Sequence, residues 1–293
     1  MLLPVIIGLS GALIFGAADF LGGMAAKRIS AVRVTAIGAA SGVVLLCAAY
    51  VFIGGTWSRE AVLLGALSGV TGAIAIVLLY ACLAIGPMSI LSPTTAVVSA
   101  LVPMLVGVVR GDRLNTIGYV ALGLALVAVI LVGFVPEKGA VRPSLKALGM
   151  AVGSGAMIGA FIVIIDMTPP DSGVVPLIAN RAVNGLIVWT AIGVMVLLAK
   201  RRGRATGVTP TDSRGWRPGL TLAIVSGVID ATANVFLLIG LRVGELTIQS
   251  VLTALYPAGT IILAAVVLKE RIAPVQIVGL VLAITAASML ALA

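Results

Sequence analysis

Runs of about twenty apolar residues, broken by Gly, Pro and single charges, follow one another along the whole chain. The punctuation divides them into ten segments, at 4–26, 33–53, 61–85, 88–109, 115–135, 147–167, 175–199, 218–241, 246–267 and 273–292. Each is long enough to cross a bilayer, whose hydrocarbon core takes about 20 residues of helix. Each is expected to be a helix, because without water every backbone N–H and C=O must be satisfied inside its own segment. The first run continues past Asp19 to Ala26 and has no basic stretch ahead of it, so it reads as a span and not as a cleavable signal. The wider gaps, Pro136–Lys146 and Lys200–Arg217, have no room for an extramembrane domain.

The order of polar positions repeats. Ile85–Leu114 (IGPMSILSPTTAVVSALVPMLVGVVRGDRL) aligns without a gap on Val243–Ile272 (VGELTIQSVLTALYPAGTIILAAVVLKERI), an offset of 158 residues. The match extends outward, Ser68-Gly69-Val70 falling on Ser226-Gly227-Val228, and about a third of the pairs from Leu64 to Val132 are identical. Spans three to five therefore recur as eight to ten, and spans one and two resemble six and seven more weakly through Gly11–Ile14 and Gly155–Ile158. A unit of five crossings is odd, so its second copy enters the membrane from the opposite face. The pattern predicts an all-α integral membrane protein of ten transmembrane helices in two inverted five-helix repeats, 1–137 and 147–293.

Composition agrees. The 293 residues are 61% apolar and 10% charged, against about 45–50% and 25% in a soluble domain. Soluble enzymes, nucleic-acid binders and disordered chains are excluded. The formal charge of +9 lies mostly in the short gaps between spans, as orientation signals do. The gaps after spans one, five, seven and nine hold nearly all of it, while the other face has only Arg59, Arg110, Arg113 and Arg242. The positive-inside rule then puts both termini outside the cytoplasm. Cys47 and Cys82 each stand alone within a span, which indicates neither a disulfide framework nor a thiol metal site, and there is no His. No cofactor or metal is expected.

Asp230 sits near the middle of span eight, where a carboxylate costs about 2.5–3.5 kcal/mol on insertion scales. Ser226, Asp230 and Asn234 follow at i, i+4 and i+8 and share one face. The repeat mate of Asp230 is Gly72, so the charge is not a duplicated scaffold residue. It is a candidate for binding a proton or a cationic substrate, the plainer reading being a hydrogen-bonded carboxyl that pins helix packing. Asp19 in span one reads either as a second cavity carboxylate or as an interfacial acid near Lys27. Arg181, flanked by Asn180 and Asn184, lies at the membrane face where Asp166 ends span six. It is expected either to pair with Asp166 or to bind an anionic group from the cavity. Spans four and nine carry matched hydroxyls at Ser92, Thr95 and Ser99 and at Ser250, Thr253, Tyr256 and Thr260, and are interrupted by Pro93, Pro103 and Pro257. They read as cavity walls and hinges. Tyr80 and Trp189 read as substrate contacts or as packing and interfacial anchors, and Glu270 as a loop salt bridge or helix cap.

The chain resembles the drug/metabolite transporter superfamily, specifically its EamA-like ten-helix carriers. The resemblance is carried by Phe15-Gly16 with Asp19-Phe20, by Lys269-Glu270-Arg271 followed by Gln276-Ile277-Val278-Gly279, and by the first-half counterpart Gly111-Asp112-Arg113. It implies two inverted EamA-like repeats around a central cavity lined by spans one, three, four, six, eight and nine. It also implies transport of small metabolites or drugs, often outward, without ATP hydrolysis. The arginine such families place early in the second helix of each half is met by Arg181, whereas the first half has Ile37 or Gly38 there. Family habit keeps both termini cytoplasmic, against the charge count.

The expected function is secondary transport by alternating access in the plasma membrane, with an amino acid-like metabolite or cationic drug as substrate. Protons are the candidate coupling ion through Asp230 and Asp19, and the working unit is a monomer or homodimer. A channel would call for a ring of repeated residues, and Asp19 and Asp230 have no mates. An intramembrane enzyme is the third reading, and no catalytic residue is expected.

Overall fold

The computed structural model describes residues 2–83, 85, 88–133, 143–202, 217–269 and 271–292. Among them, ten helices are long and apolar enough to cross a membrane. In chain order they are α1 (Leu2–Ala26), α2 (Ala31–Ile53), α3 (Arg59–Leu83), α4 (Met88–Arg110), α5 (Thr116–Gly133), α6 (Leu145–Asp166), α7 (Val175–Arg202), α8 (Arg217–Val243), a ninth span in two pieces, α9 (Leu246–Thr253) and α10 (Tyr256–Val267), and α11 (Pro274–Leu292). Ser30 and Ser144 start α2 and α6 by accepting the backbone N–H of Arg33 and Ala147, which satisfies donors a helix start leaves orphaned.

The ends agree with the hydropathy pattern to within a few residues, and the break in the ninth span is the departure from it. Pro257 has no N–H to offer the Thr253 carbonyl, so the ladder lapses at Ala254 and Leu255 and restarts at Tyr256. Pro93 and Pro103 are accommodated inside a continuous α4. A break at proline thus occurs in one of the two matched spans.

Neighbours in sequence touch little, and the main packing partners come from opposite repeats. Helix α1 lies on α8 as α6 lies on α3, α2 lies on α8 as α7 lies on α3, and the ninth span covers α1 as α4 covers α6. The pairs α2–α7, α4–α9 and α5–α11 join each helix to its own counterpart. This is the contact pattern of an inverted pseudo-two-fold. Hydroxyls support it across the halves: Ser226 of α8 donates to the Ala18 carbonyl of α1, and Ser154 of α6 donates to the Ala75 carbonyl of α3, each at 2.8 Å.

Small residues set the helix separation, since lipid offers no hydrophobic drive for helices to associate. A Cβ on Gly16 would stand 2.5 Å from the Tyr256 carbonyl oxygen and 2.6 Å from the Thr260 nitrogen, both backbone atoms of α10. Thr260 closes the contact by donating to the Gly16 carbonyl at 3.1 Å. A Cβ on Gly123 of α5 would meet nothing within 4 Å. Gly16→Leu is therefore expected to cost about 3 kcal/mol or to abolish folding through overpacking, while Gly123→Leu leaves stability within about 0.5 kcal/mol. Thermal unfolding of the purified proteins in detergent checks this, and equal behaviour of the two variants would refute the packing assignment.

Candidate functional site

Ten crossings bring both ends of the described chain to one face, here termed the terminal face. The loop residues 27–30, 268–269 and 271–273 lie on the other, basic face. The terminal face is sealed. Asp112, in the loop after α4, accepts the Thr247 backbone N–H at 3.0 Å and its hydroxyl at 2.7 Å, capping the start of α9 from the opposite repeat. Arg110 pairs with Asp166 at 3.0 Å. Arg242 donates to the Thr168 carbonyl and hydroxyl at 2.5 and 2.6 Å and to the Pro169 carbonyl at 3.0 Å. Gln249, fully buried, donates to the Pro4 carbonyl at 2.8 Å.

Burial changes along the helices in the same sense. Leu246–Leu252 of α9 are all buried, whereas α10 buries only Ala258 and Gly259. On α1, positions 5, 8, 12, 16, 19 and 23 follow at three- and four-residue spacing and so share one side. It is not the side of the exposed Leu2, Ile6 and Leu13, which faces lipid. Val5, Gly8, Ala12 and Gly16 are buried on it, and Asp19 and Gly23 are exposed. A Cβ on Gly23 would find nothing within 4 Å. The inner side of α1 is therefore covered from the terminal face to mid-membrane and open from Asp19 to the basic face. Asp19 lies about 10 Å from the basic-face end of α1 at 1.5 Å per residue.

Asp230 is half-buried near the centre of α8, and its Oδ2 accepts a charged hydrogen bond from Nη2 of Arg181 on α7. The expected Asp166–Arg181 pair does not form, because Arg110 at the end of α4 reaches Asp166 while Arg181 packs against Gly42 of α2 and reaches inward. Asp19 lies within electrostatic reach of Asp230 on α8 and of Tyr256 on α10. Among the described residues no hydrogen bond or ion pair reaches its carboxylate. The cluster of Asp19, Asp230, Arg181 and Tyr256 thus draws on α1, α8, α7 and α10.

The other predicted residues divide. Asn234 is buried and donates to the Asp230 backbone carbonyl at 2.8 Å, within its own helix. Asn184 is buried one turn beyond Arg181, and its Nδ2 would stand 3.5 Å from a Cβ on Gly72, the α3 mate of Asp230. Thr95 is buried and commits its hydroxyl to the Leu91 and Ala151 carbonyls at 3.0 and 3.2 Å, tying α4 to α6. Thr253 is half-buried at the break before α10, and Trp189 is exposed on α7. The Tyr80 side chain and Glu270 lie outside the described residues. An apolar groove of about 510 Å³ between α1, α8 and α10, floored by Leu13, Ala17, Thr232 and Ile262, opens on the lipid side of α1 and shares no residue with the cluster. Sequence reasoning missed the Asp112–Thr247 cap, the Arg242 clamp and the buried Asn180–Ser68 bond of 2.8 Å. A signal for the first was present, since Asp112 stands opposite Glu270 in the repeat.

Residues 145–292 match the model of the EamA-like transporter family. A solved structure described only as the crystal structure of a protein superposes with a TM-score of 0.73 at 14% identity, over 98% of this chain and 95% of that one. At that identity it shows a shared fold. No protein of curated function matches the chain.

Glu245, between α8 and α9, lies outside the spans. Burial pushes its carboxyl up from the ordinary 4.5, the Asp112 charge adds to the shift, and its buried Oε2 has no hydrogen-bond partner among the described residues. The folded state holds this proton more tightly than the unfolded one, so its protonation stabilises the fold, and stability falls as pH rises from 4.5 through the folded value. Glu245→Gln is expected to raise the Tm at neutral pH and to flatten its pH dependence. Superimposable Tm–pH curves for the two proteins would contradict this.

Proposed function

The chain belongs to the EamA-like transporter family, and on that premise we propose that it is a secondary carrier that moves a small metabolite or drug by alternating access. It is a multi-pass integral membrane protein. The observation that carries the proposal is the inner side of α1, buried from Val5 to Gly16 and exposed at Asp19 and Gly23. A crevice that ends on a carboxylate about 10 Å inside the helix end and is stoppered on the far side fits a carrier loaded from one side. A channel needs a continuous path, and the terminal-face bonds of Asp112, Arg242 and Gln249 stand across it.

Transport exposes the same cluster to the other face. The terminal-face bonds break while the basic-face ends of the two repeats close, with the break between α9 and α10 as a hinge. Taking the Lys and Arg bias over the family habit for the termini, we assign the basic face to the cytoplasm. The crevice then opens to the cytoplasm, as suits loading of an exporter in the plasma membrane.

Of the two acids within the spans, Asp19 is the one to exchange a proton. The charged groups that face it are Asp230 with its Arg181 partner, from α8 and α7, and the Tyr256 hydroxyl, from α10. Arg181 donates a charged hydrogen bond to Asp230, while Asp19 has no such partner among the described residues. Asn234, Asn184 and Thr253 are assigned as further substrate contacts.

Proteoliposomes assayed with a panel of labelled amino acids, amines and drugs under an imposed pH gradient test the reading. Uptake of at least one solute above protein-free liposomes is expected, accelerated by the gradient. Asp19→Asn should abolish the acceleration, and Asp230→Asn should slow transport about tenfold by freeing Arg181 inside the membrane. Gradient-driven uptake unchanged in Asp19→Asn removes the coupling role, and no uptake of any solute by folded protein removes the carrier.

A further inference from the structure

The carrier reading leaves the charge of the cargo undetermined, and the cluster determines it. Three charged side chains meet there: the carboxylates of Asp19 and Asp230 and the guanidinium of Arg181. Arg181 and Asp230 are hydrogen-bonded to one another and cancel. The cation is therefore unavailable to a cargo carboxylate unless Asp230 releases it. What remains is one negative charge, on Asp19, exposed at the inner end of the crevice with no hydrogen bond or ion pair among the described residues. One turn from Arg181, Asn184 of α7 is 7% exposed and faces Gly72 of α3. No set of three acidic, Cys or His groups able to hold a metal ion occurs among the described residues, which removes a dehydrated divalent cation as the counter-charge.

A solute that fills this site must supply one positive charge and no negative one. Resting on the carrier reading, we propose that the cargo is a small organic monocation, an amine without a carboxylate, that docks its ammonium on Asp19 while the Arg181–Asp230 pair stays closed. With Asp19 ionised, an anion would meet its uncompensated charge, a zwitterion would have to open the pair to place its carboxylate, and a neutral solute would leave that charge unpaired within the span. Charge arithmetic also makes the site switchable. Asp230→Asn frees Arg181 next to Asp19 and turns the site into one for a zwitterion. Removing both members of the pair restores a single negative charge and with it the preference for an amine.

Three solutes of nearly one shape separate these cases: 3-methylbutylamine, leucine, which adds a carboxylate to it, and 4-methylpentanoate, which has the carboxylate alone. Isothermal titration calorimetry on the purified full chain in detergent is expected to show the amine binding at least about tenfold more tightly than either of the others. Asp19→Asn should abolish that binding. Asp230→Asn should shift the preference to leucine, and Arg181→Gln with Asp230→Asn should return it to the amine. If Asp230→Asn does not fold, the double variant, which buries no unpaired charge in place of the pair, and the wild-type order of affinities still decide. Leucine or 4-methylpentanoate binding as tightly as the amine, or no binding of the amine at all, overturns the monocation inference. The carrier reading stands or falls separately, on whether any solute is taken up by proteoliposomes.

Discussion

A charge in the hydrocarbon interior must be paired, neutralised or wetted, and this constraint accounts for most of what is unusual in the structure. Asp230 and Arg181 meet it by pairing across two helices. Asp19 meets it by exposure, at the point where the inner side of α1 stops being covered by the ninth span. Every other charged group described near mid-depth or beyond is drawn to a face, where Arg110, Asp166 and Arg242 form the terminal seal. The opening beside α1 serves first as a solvation requirement of Asp19.

The scaffold is symmetric and its chemistry is not. Each helix finds its main partner in the opposite repeat, so the pseudo-two-fold is built into the core, which mixes residues of both halves such as Val5, Ala100, Val129, Ile248 and Leu290. The polar groups break that symmetry, and on the terminal face the Asp112 carboxylate caps α9 from the opposite repeat. Gly72 stands where the second half has Asp230, which leaves the pocket with one ion pair and one spare acid rather than two of each.

Helix number, order and approximate ends were legible because hydrocarbon imposes a strong and simple pattern, twenty apolar residues at a time. The inverted repeat was legible because the 158-residue offset carries Ser68 and Ser226, Ser92 and Ser250, and Thr95 and Thr253 together. Side-chain partnership was much less so. Arg181 shares a membrane face with Asp166 by position in its span, yet it pairs with Asp230, because an arginine side chain reaches well over one helical turn and α2 presents only Gly42 in its way. Thr95 and Thr253 look alike in sequence, but Thr95 closes on the Ala151 carbonyl of α6 while Thr253 ends α9 at the break that Pro257 creates. Which hydroxyl binds backbone and which borders a crevice depends on a neighbour's distance, and a sequence does not carry that.

The claim on which the rest depends is that the inner side of α1 opens to the basic face and to that face alone. It is tested by single cysteines at Gly23 and at Ala12, introduced after Cys47→Ser and Cys82→Ala, and probed with a membrane-impermeant maleimide applied from each side of oriented vesicles. Gly23→Cys should label from the side of the basic loops and Ala12→Cys from neither side, in the order that their open and buried settings dictate. Labelling of Gly23→Cys from the terminal face, or of both positions equally, would contradict it.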